Sequence, residues 1–355
     1  MLILALSPYY YHTKVALYDN YDLLWSESQR YSSMDLELFP SIAQQEGFRS
    51  DRLKELLSEK GESLSAIGVF VSVGGMLRPL EGGVYNISAE MVDDLLSCKY
   101  GENPMNLGAP MAMSLANAAR ARYAYVVDPP VTDEMSRQAR MTGFPDIRRK
   151  SVFHALTHKS VAASEAEKIG KPLAECNFVV CNLDTTISVA SHSGGRVVDV
   201  NDMFSASGPM SPRQSGDLPP LQLVELCYSG KYSLEELRTR ITGVGGLVAH
   251  LGTDDVGEVV RRVKAGDRKF QTVFDAFIYQ LVKYIGASAA ALDGKVDSIV
   301  IAGTLASNEY FLGTLEDRVK WIAPLSAYPG RDDISSLVRG VMRVMTGAEV
   351  AKTYK

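Results

Sequence analysis

The chain has 355 residues, enough for two domains that each bury a core of ordinary size. Hydrophobic residues make up 46% and charged residues 22%, which fits a soluble globular protein and excludes a disordered or fibrous one. A net charge of −5 lacks the basic balance of a nucleic-acid binder. No apolar run reaches the ~18 residues of a membrane helix, and the N-terminus enters a strand without a basic leader, so a cytoplasmic protein is expected, with neither membrane nor nucleic acid as partner.

In chain order, Leu2–Leu6 and Thr13–Asp19 read as strands around a turn, Ser7 to Lys14, that holds Tyr9, Tyr10 and Tyr11 in a row. Further short strands surround a turn at Asp19-Asn20, and a helix falls within Ser41–Lys60. Ala66–Val73 is a continuous apolar, β-branched run ending in Gly74-Gly75, which predicts a buried central strand. Arg78-Pro79 and Glu81-Gly82-Gly83 form a loop. Ser88 is placed to cap a helix running to about Cys98, with Glu90 in its first turn. A helix over Leu107–Arg122 feeds a strand, Tyr123–Val127, that stops at Asp128-Pro129-Pro130.

The stretch Asp133–Lys168 reads as helical with a break at Gly143-Phe144-Pro145, crossing between domains. Arg148-Arg149-Lys150 is then a solvated charge run on that helix. A second hairpin follows: strand Phe178–Leu183, turn Asp184-Thr185-Thr186, strand Ile187–Ser191, then Gly194-Gly195 and Arg196–Val200. A polar loop, Ser205–Pro220, precedes helices at about Leu221–Ser229 and Leu234–Ile241 and a glycine-rich loop at Gly243–Gly246. Asp254–Lys264 and the long helix Phe270–Leu292 lead to the strand Ser298–Ala302, then Gly303-Thr304, and a helix near Ser335–Met345 closes the chain. Alternating strands and helices make the class α/β with mixed sheets covered by helices. Two matching hairpins half a chain apart suggest two halves of one fold facing a cleft. Cys98, Cys176, Cys181 and Cys227 form no C-x-x-C pair, so buried free thiols are expected and no metal site.

Along nearly the whole chain these segments resemble the butyrate kinases, acetokinase relatives within the acetate and sugar kinase and actin superfamily. The resemblance rests on Glu81-Gly82-Gly83-Val84-Tyr85, Asn106-Leu107-Gly108-Ala109, Asp128-Pro129 with Asp133-Glu134, and Arg149 through Leu156. It continues through Gly195 to Asn201, Ser229-Gly230-Lys231-Tyr232, Gly245 to Ala249, Leu251-Gly252-Thr253 and Tyr328-Pro329-Gly330. It implies a two-domain actin-like ATPase fold of duplicated ribonuclease H-like domains around a central cleft. The N-terminal domain would span 1–155 plus about 333–355, and the nucleotide-binding C-terminal domain 156–332. It also implies reversible phosphoryl transfer between ATP, with Mg²⁺, and a short-chain carboxylate such as butyrate, in a protein that assembles as a homo-oligomer through a surface these residues do not identify.

Departures from the family pattern gather at the phosphate-facing turns. The opening turn of the family resembles Asn-Pro-Gly-Ser-Thr-Ser-Thr-Lys; here Pro8, Thr13 and Lys14 match, while Ser7, Tyr9, Tyr10, Tyr11 and His12 replace the small residues. The family's His-Leu-Gly-Gly-Gly-Ile-Ser becomes Asn182-Leu183-Asp184-Thr185-Thr186-Ile187-Ser188, which removes each glycine that lets backbone N–H groups reach a phosphate. Asp184 is either a new metal contact or an obstacle. Val73 and Gln214 stand at two arginine positions, Thr304 at a glycine and Arg331 at a glutamate.

The resemblance assigns transfer roles to Lys14, Arg78, His154 and Arg213. It assigns nucleotide contacts to Thr13, Asn182, Gly245, Gly246, Gly252, Thr253 and Gly303. Lys14 is equally a solvated strand-start lysine, His154 a hydrogen-bonded structural histidine, and the glycines helix punctuation. Arg213 replaces the arginine missing at 214 only if its loop reshapes. His12 and His158 are expected at the surface or in the cleft. Among three consecutive tyrosines at least one is expected in the core and one outside, with the rings plugging the phosphate pocket or stacking on another ligand. The Gly74–Pro79 loop and Asn106–Gly108 are placed at the carboxylate. The whole predicts a carboxylate kinase with impaired or altered catalysis, or a non-catalytic homologue that binds a nucleotide or small acid as a regulator or partner subunit. A third outcome is another substrate with phosphate contacts rebuilt through Arg213, Asp184 and Arg331.

Overall fold

The computed structural model describes residues 1–330 and 333–355. The described residues form two compact units: Met1–Asp133, Ala155–Ser160 and 333–355 in the first, Glu134–His154 and 161–330 in the second. The elements are β1 (Leu2–Pro8), β2 (His12–Asp19), β3 (Asp22–Arg30), α1 (Ser33–Leu36), α2 (Glu46–Glu59), β4 (Val69–Val73), β5 (Val84–Asn86), α3 (Ala89–Leu96), α4 (Gly108–Ala119) and β6 (Tyr123–Val127). There follow α5 (Ala155–Lys168), β7 (Asn177–Leu183), β8 (Ile187–Ser193), β9 (Arg196–Val200), α6 (Pro220–Tyr228), α7 (Leu234–Thr242), α8 (Gly246–Leu251), α9 (Val256–Lys264) and α10 (Arg268–Ala290). The last are β10 (Ser298–Ala302), α11 (Glu309–Val319), β11 (Leu325–Ala327), α12 (Asp333–Met345) and β12 (Lys352–Thr353).

The first sheet runs β12-β5-β6-β4-β1-β2-β3 and the second β11-β10-β7-β8-β9. Each is built on an antiparallel meander, β1-β2-β3 or β7-β8-β9, whose first strand pairs in parallel with a later one, β4 or β10. Period-two alternation explains how each sheet takes helices on both faces. Leu4, Leu6 and Phe70 pack with α2, α3 and α4, while Ile3, Ala5, Val69 and Val71 pack with α12. In the second unit Val179, Cys181 and Leu183 face α10, and Phe178 and Val180 face α5. Glu165 of α5 is buried and accepts hydrogen bonds from Ser326 Oγ (2.9 Å) and Tyr328 Oη (2.7 Å). Burial works against its charge, but these hydroxyls and that of Ser298 outweigh it and hold the carboxyl below its ordinary range.

Five expectations need correction. Residues 134–154 are not helical; helix begins at Ala155. The segment satisfies its backbone on β9 and beyond instead: Ser136 N–H donates to the Val198 carbonyl, Glu134 accepts from Val197 N–H, and Met203 N–H donates to the Val152 carbonyl. Arg149 is therefore no helix-surface charge; it pairs with Asp199 at 2.8 Å and donates to the carbonyls of Ala139 and Val200. His158 is fully buried, and Cys227 is exposed, unlike Cys176 and Cys181, whose thiols burial pushes up. All three tyrosines are exposed, Tyr9 at 39%, Tyr10 at 60% and Tyr11 at 66%, so none joins the core. α11 and β11 fall where the sequence singles out no element.

Candidate active site

In the first unit the β1–β2 connection is a tight turn closed by Tyr9 N–H on the His12 carbonyl at 2.8 Å, with Tyr10 and Tyr11 at its tip. Arg49 of α2 lies behind it, only 1% exposed. Its Nη1 donates to the Tyr9 carbonyl (2.7 Å) and its Nη2 to the Tyr10 carbonyl (2.8 Å); Nε and Nη2 also reach Gln45 Oε1. The guanidinium lies over the Tyr31 ring at 4.6 Å. The Tyr11 carbonyl accepts from Tyr31 N–H. The Tyr9 ring stacks on His12, centroids 4.6 Å apart. His12 is held below the usual imidazole range, first by burial, then by Arg30, Lys14 and Arg49. Thr13 is buried, its hydroxyl accepting from Tyr31 Oη at 2.9 Å, while Lys14 on β2 is half-buried.

Near this turn, Asp333 at the start of α12 accepts from Ser7 Oγ (3.3 Å), Tyr9 Oη (3.1 Å) and Thr157 Oγ1 (3.5 Å). Arg78 stacks on the buried Tyr354 ring at 4.4 Å, and its Nη2 lies 4.0 Å from Glu90. Asn106 clamps the glycine loop rather than presenting its amide: Oδ1 accepts from Met76 N–H (2.8 Å) and Nδ2 donates to the Gly101 carbonyl (2.9 Å). A Cβ on Gly75 would strike Asn106.

In the second unit the β7–β8 turn is closed by side chains. Asp184 Oδ1 accepts from Thr304 Oγ1 at 2.7 Å, joining this turn to the residues after β10. Gly303 makes the approach possible: φ is 91°, and a Cβ there would collide with the Leu183 carbonyl. His154, just before α5, is fixed at both nitrogens, Nδ1 with Ser188 Oγ (2.8 Å) and Nε2 with Thr186 Oγ1 (3.2 Å). Asn182 is buried in β7, opposite Ser188 and beside Ala302.

The 211–216 loop packs under this turn through Ser211 Oγ and Arg213 N–H, both donating to the Thr185 carbonyl. Arg213 reaches away from the turn, Nη1 to Asp254 at 3.1 Å and Nε to the Gly243 carbonyl at 3.0 Å. Gln214 is buried, its Nε2 donating to the Met203 carbonyl at 2.7 Å. Gly245 and Gly246 are packing glycines, since a Cβ on either would meet the backbone of residues 211–215. Gly252, at φ 78° with open space around it, ends α8, and Thr253 Oγ1 accepts from Asp255 N–H. Structure thus brings Asp184, Thr186 and His154 together at one turn of the second unit and Arg213 beside it; Thr13 and Lys14 belong to the other turn. Arg331 lies outside the described residues.

A model of the acetokinase family matches residues 140–316. Butyrate kinase 2 of Clostridium acetobutylicum is 39% identical over 353 residues, covering 99% of both chains. A probable butyrate kinase of Listeria monocytogenes is 40% identical over 352 residues, again 99% of both. The chain belongs to the butyrate kinase family. Solved structures carry the fold: acetate kinase of Porphyromonas gingivalis superposes with a TM-score of 0.79 at 17% identity, over 97% of this chain and 99% of that one. A propionate kinase of Francisella tularensis gives 0.74 at 15% identity, over 96% and 98%. The fold is the two-domain actin-like α/β ATPase fold.

Several butyrate kinase motifs prove here to be scaffold. Asn201 bridges the Val189 amide and the carbonyls of Ile187 and Ser207; Asp128 accepts from Gly83 N–H at 2.6 Å. Sequence reasoning missed Arg49 and Asp333. An arginine four residues after Gln45 reads as helix surface, and nothing local signals that its partners are carbonyls of residues 9 and 10. Asp333 carries a weak signal only: an acid in the first turn of a closing helix.

Proposed function

We propose that this protein is a Mg-ATP-dependent kinase of a short-chain carboxylate such as butyrate, transferring phosphoryl more slowly than relatives that keep both arginines. The observation that carries the reading is full-length similarity to butyrate kinases together with a histidine, His154, fixed at both ring nitrogens beside the second turn. In the reaction a carboxylate oxygen would bond to the γ-phosphorus as the bond to ADP breaks. The protein's part is positioning and charge. His154 holds Ser188 and Thr186 of the second turn in position for one reactant, and Lys14 and Arg49 make the first turn cationic. Asp333 with three hydroxyls is an all-oxygen group of the kind Mg²⁺ accepts. Exposed rings at Tyr10 and Tyr11 weaken the idea of a plugged turn. Buried Val73 and Gln214 keep the idea of lost cations, each transition-state donor being worth ~10²–10³ in rate.

That same absence of cations at 73 and 214 favours the second reading, a non-catalytic homologue that still binds nucleotide. Homo-oligomer assembly fits α6, which exposes Leu221, Val224 and Tyr228 and buries no side chain. The test is hydroxylamine trapping of acyl phosphate from ATP and butyrate. Expected is measurable hydroxamate at ~10²–10³ below butyrate kinases with both arginines, rising ~10-fold or more in V73R/Q214R. Mg-ATP binding without any hydroxamate selects the second reading, and turnover equal to such relatives removes the impairment.

A further inference from the structure

A guanidinium that is 1% exposed and, among the described residues, meets no carboxylate is expensive to bury. An apolar residue would pack α2 on the sheet at less cost, so Arg49 needs a reason beyond packing. Its donors supply one. The fork binds two successive carbonyls, those of Tyr9 and Tyr10, and Tyr31 N–H takes the third, that of Tyr11. A trans peptide is planar and its N–H points opposite to its C=O. Pulling the carbonyls of Tyr9 and Tyr10 toward α2 therefore turns the amides of Tyr10 and Tyr11 away from it. Among the described residues neither amide has an acceptor.

We propose that Arg49 is a positioning residue for nucleotide phosphate: it grips the β1–β2 turn from behind and presents the Tyr10 and Tyr11 amides as a phosphate cradle that dispenses with glycine. This rests on the reading of an ATP-dependent kinase. Glycine normally serves such a turn by tolerating unusual backbone and by clearing space. Here a side chain from forty residues along the chain fixes the backbone, and the rings clear the space by standing in solvent. The buried cation also sets a positive field at the turn, to which Lys14 and Arg30 add. Lysine cannot replace the fork, because one ammonium does not hold two carbonyls and a side-chain amide in a plane.

The experiment measures Mg-ATP binding by calorimetry and hydroxamate kinetics on the full chain, R49K and R49Q, with circular dichroism and thermal melts for each. Expected is a KM and Kd for ATP raised ~3–10-fold in R49K and ~10-fold or more in R49Q, with the butyrate KM within ~2-fold of the unaltered protein. If R49Q fails to fold, R49K decides. Folded Arg49 variants that bind ATP normally overturn the proposal. So does R49K that melts earlier yet keeps its ATP KM, which marks Arg49 as structural only. Hydroxamate turnover with Arg49-independent ATP affinity overturns this inference alone. Arg49-dependent ATP binding without turnover overturns the kinase reading alone, and an unaltered protein that binds no ATP overturns both.

Discussion

The two hairpin turns have each lost glycine, yet they are held in different ways. The β1–β2 turn is fixed from behind: Arg49 and Tyr31 take its carbonyls, and the Tyr10 and Tyr11 side chains at its tip are exposed. The β7–β8 turn is fixed across its front, by Asp184 on Thr304 and by Thr186 and Ser188 on His154. Two substitutions that each look damaging alone, an acid and a threonine at glycine positions, turn out to be hydrogen-bonded to one another. Bulk at a turn is therefore no measure of obstruction; what matters is which atoms anchor it and from which side.

If the second turn works through its side chains, H154A has the largest effect, a fall in kcat of ~10²–10³ with ATP affinity nearly kept. An unchanged kcat in the hydroxamate assay would make His154 purely structural and erase the contrast. G303A tests the close approach that the first turn does not need. With φ at 91° and the Leu183 backbone in the way, it should cost about 2–3 kcal/mol in a denaturant melt and loosen the β7–β8 turn. A loss below ~0.5 kcal/mol would mean that the turns can separate freely.

E165Q probes the second unit away from either turn. A carboxyl held below its unfolded value stabilises the fold above that value and loses this as pH falls through the folded one. E165Q should therefore lower stability by ~1–3 kcal/mol at pH 7 and by clearly less below about pH 4, in melts at both pH values. Equal losses at both would deny Glu165 its charge. The smallest effect is expected of D184A: freeing Thr304 and removing an anion should lower the ATP KM by ~3-fold. A raised KM would instead make Asp184 a working contact, with Mg²⁺ between it and phosphate.

Most of the frame was legible. Tyr123–Val127, Arg196–Val200 and Ser298–Ala302 are strands as read, and Ser88 caps α3 with its side chain accepting from Met91 N–H. Local pattern suffices there because burial on a sheet demands apolar runs and a cap needs only its own turn. The segment 134–154 escaped because its hydrogen-bond partners are β9 and residues beyond it, and periodicity contains no term for that.

At the candidate site, sequence alone determined the family, the positions of both turns and the identity of what had changed in them. Tertiary structure decided direction. Which way the Tyr10 carbonyl faces depends on Arg49, whether Asp184 is free depends on Thr304, and whether Arg213 or Gln214 faces the turn depends on Asp254 and the Met203 carbonyl. Each of these is a hydrogen bond between residues of different segments, 11 to 120 positions apart along the chain, and its geometry exists only once the fold brings them within 3 Å or so.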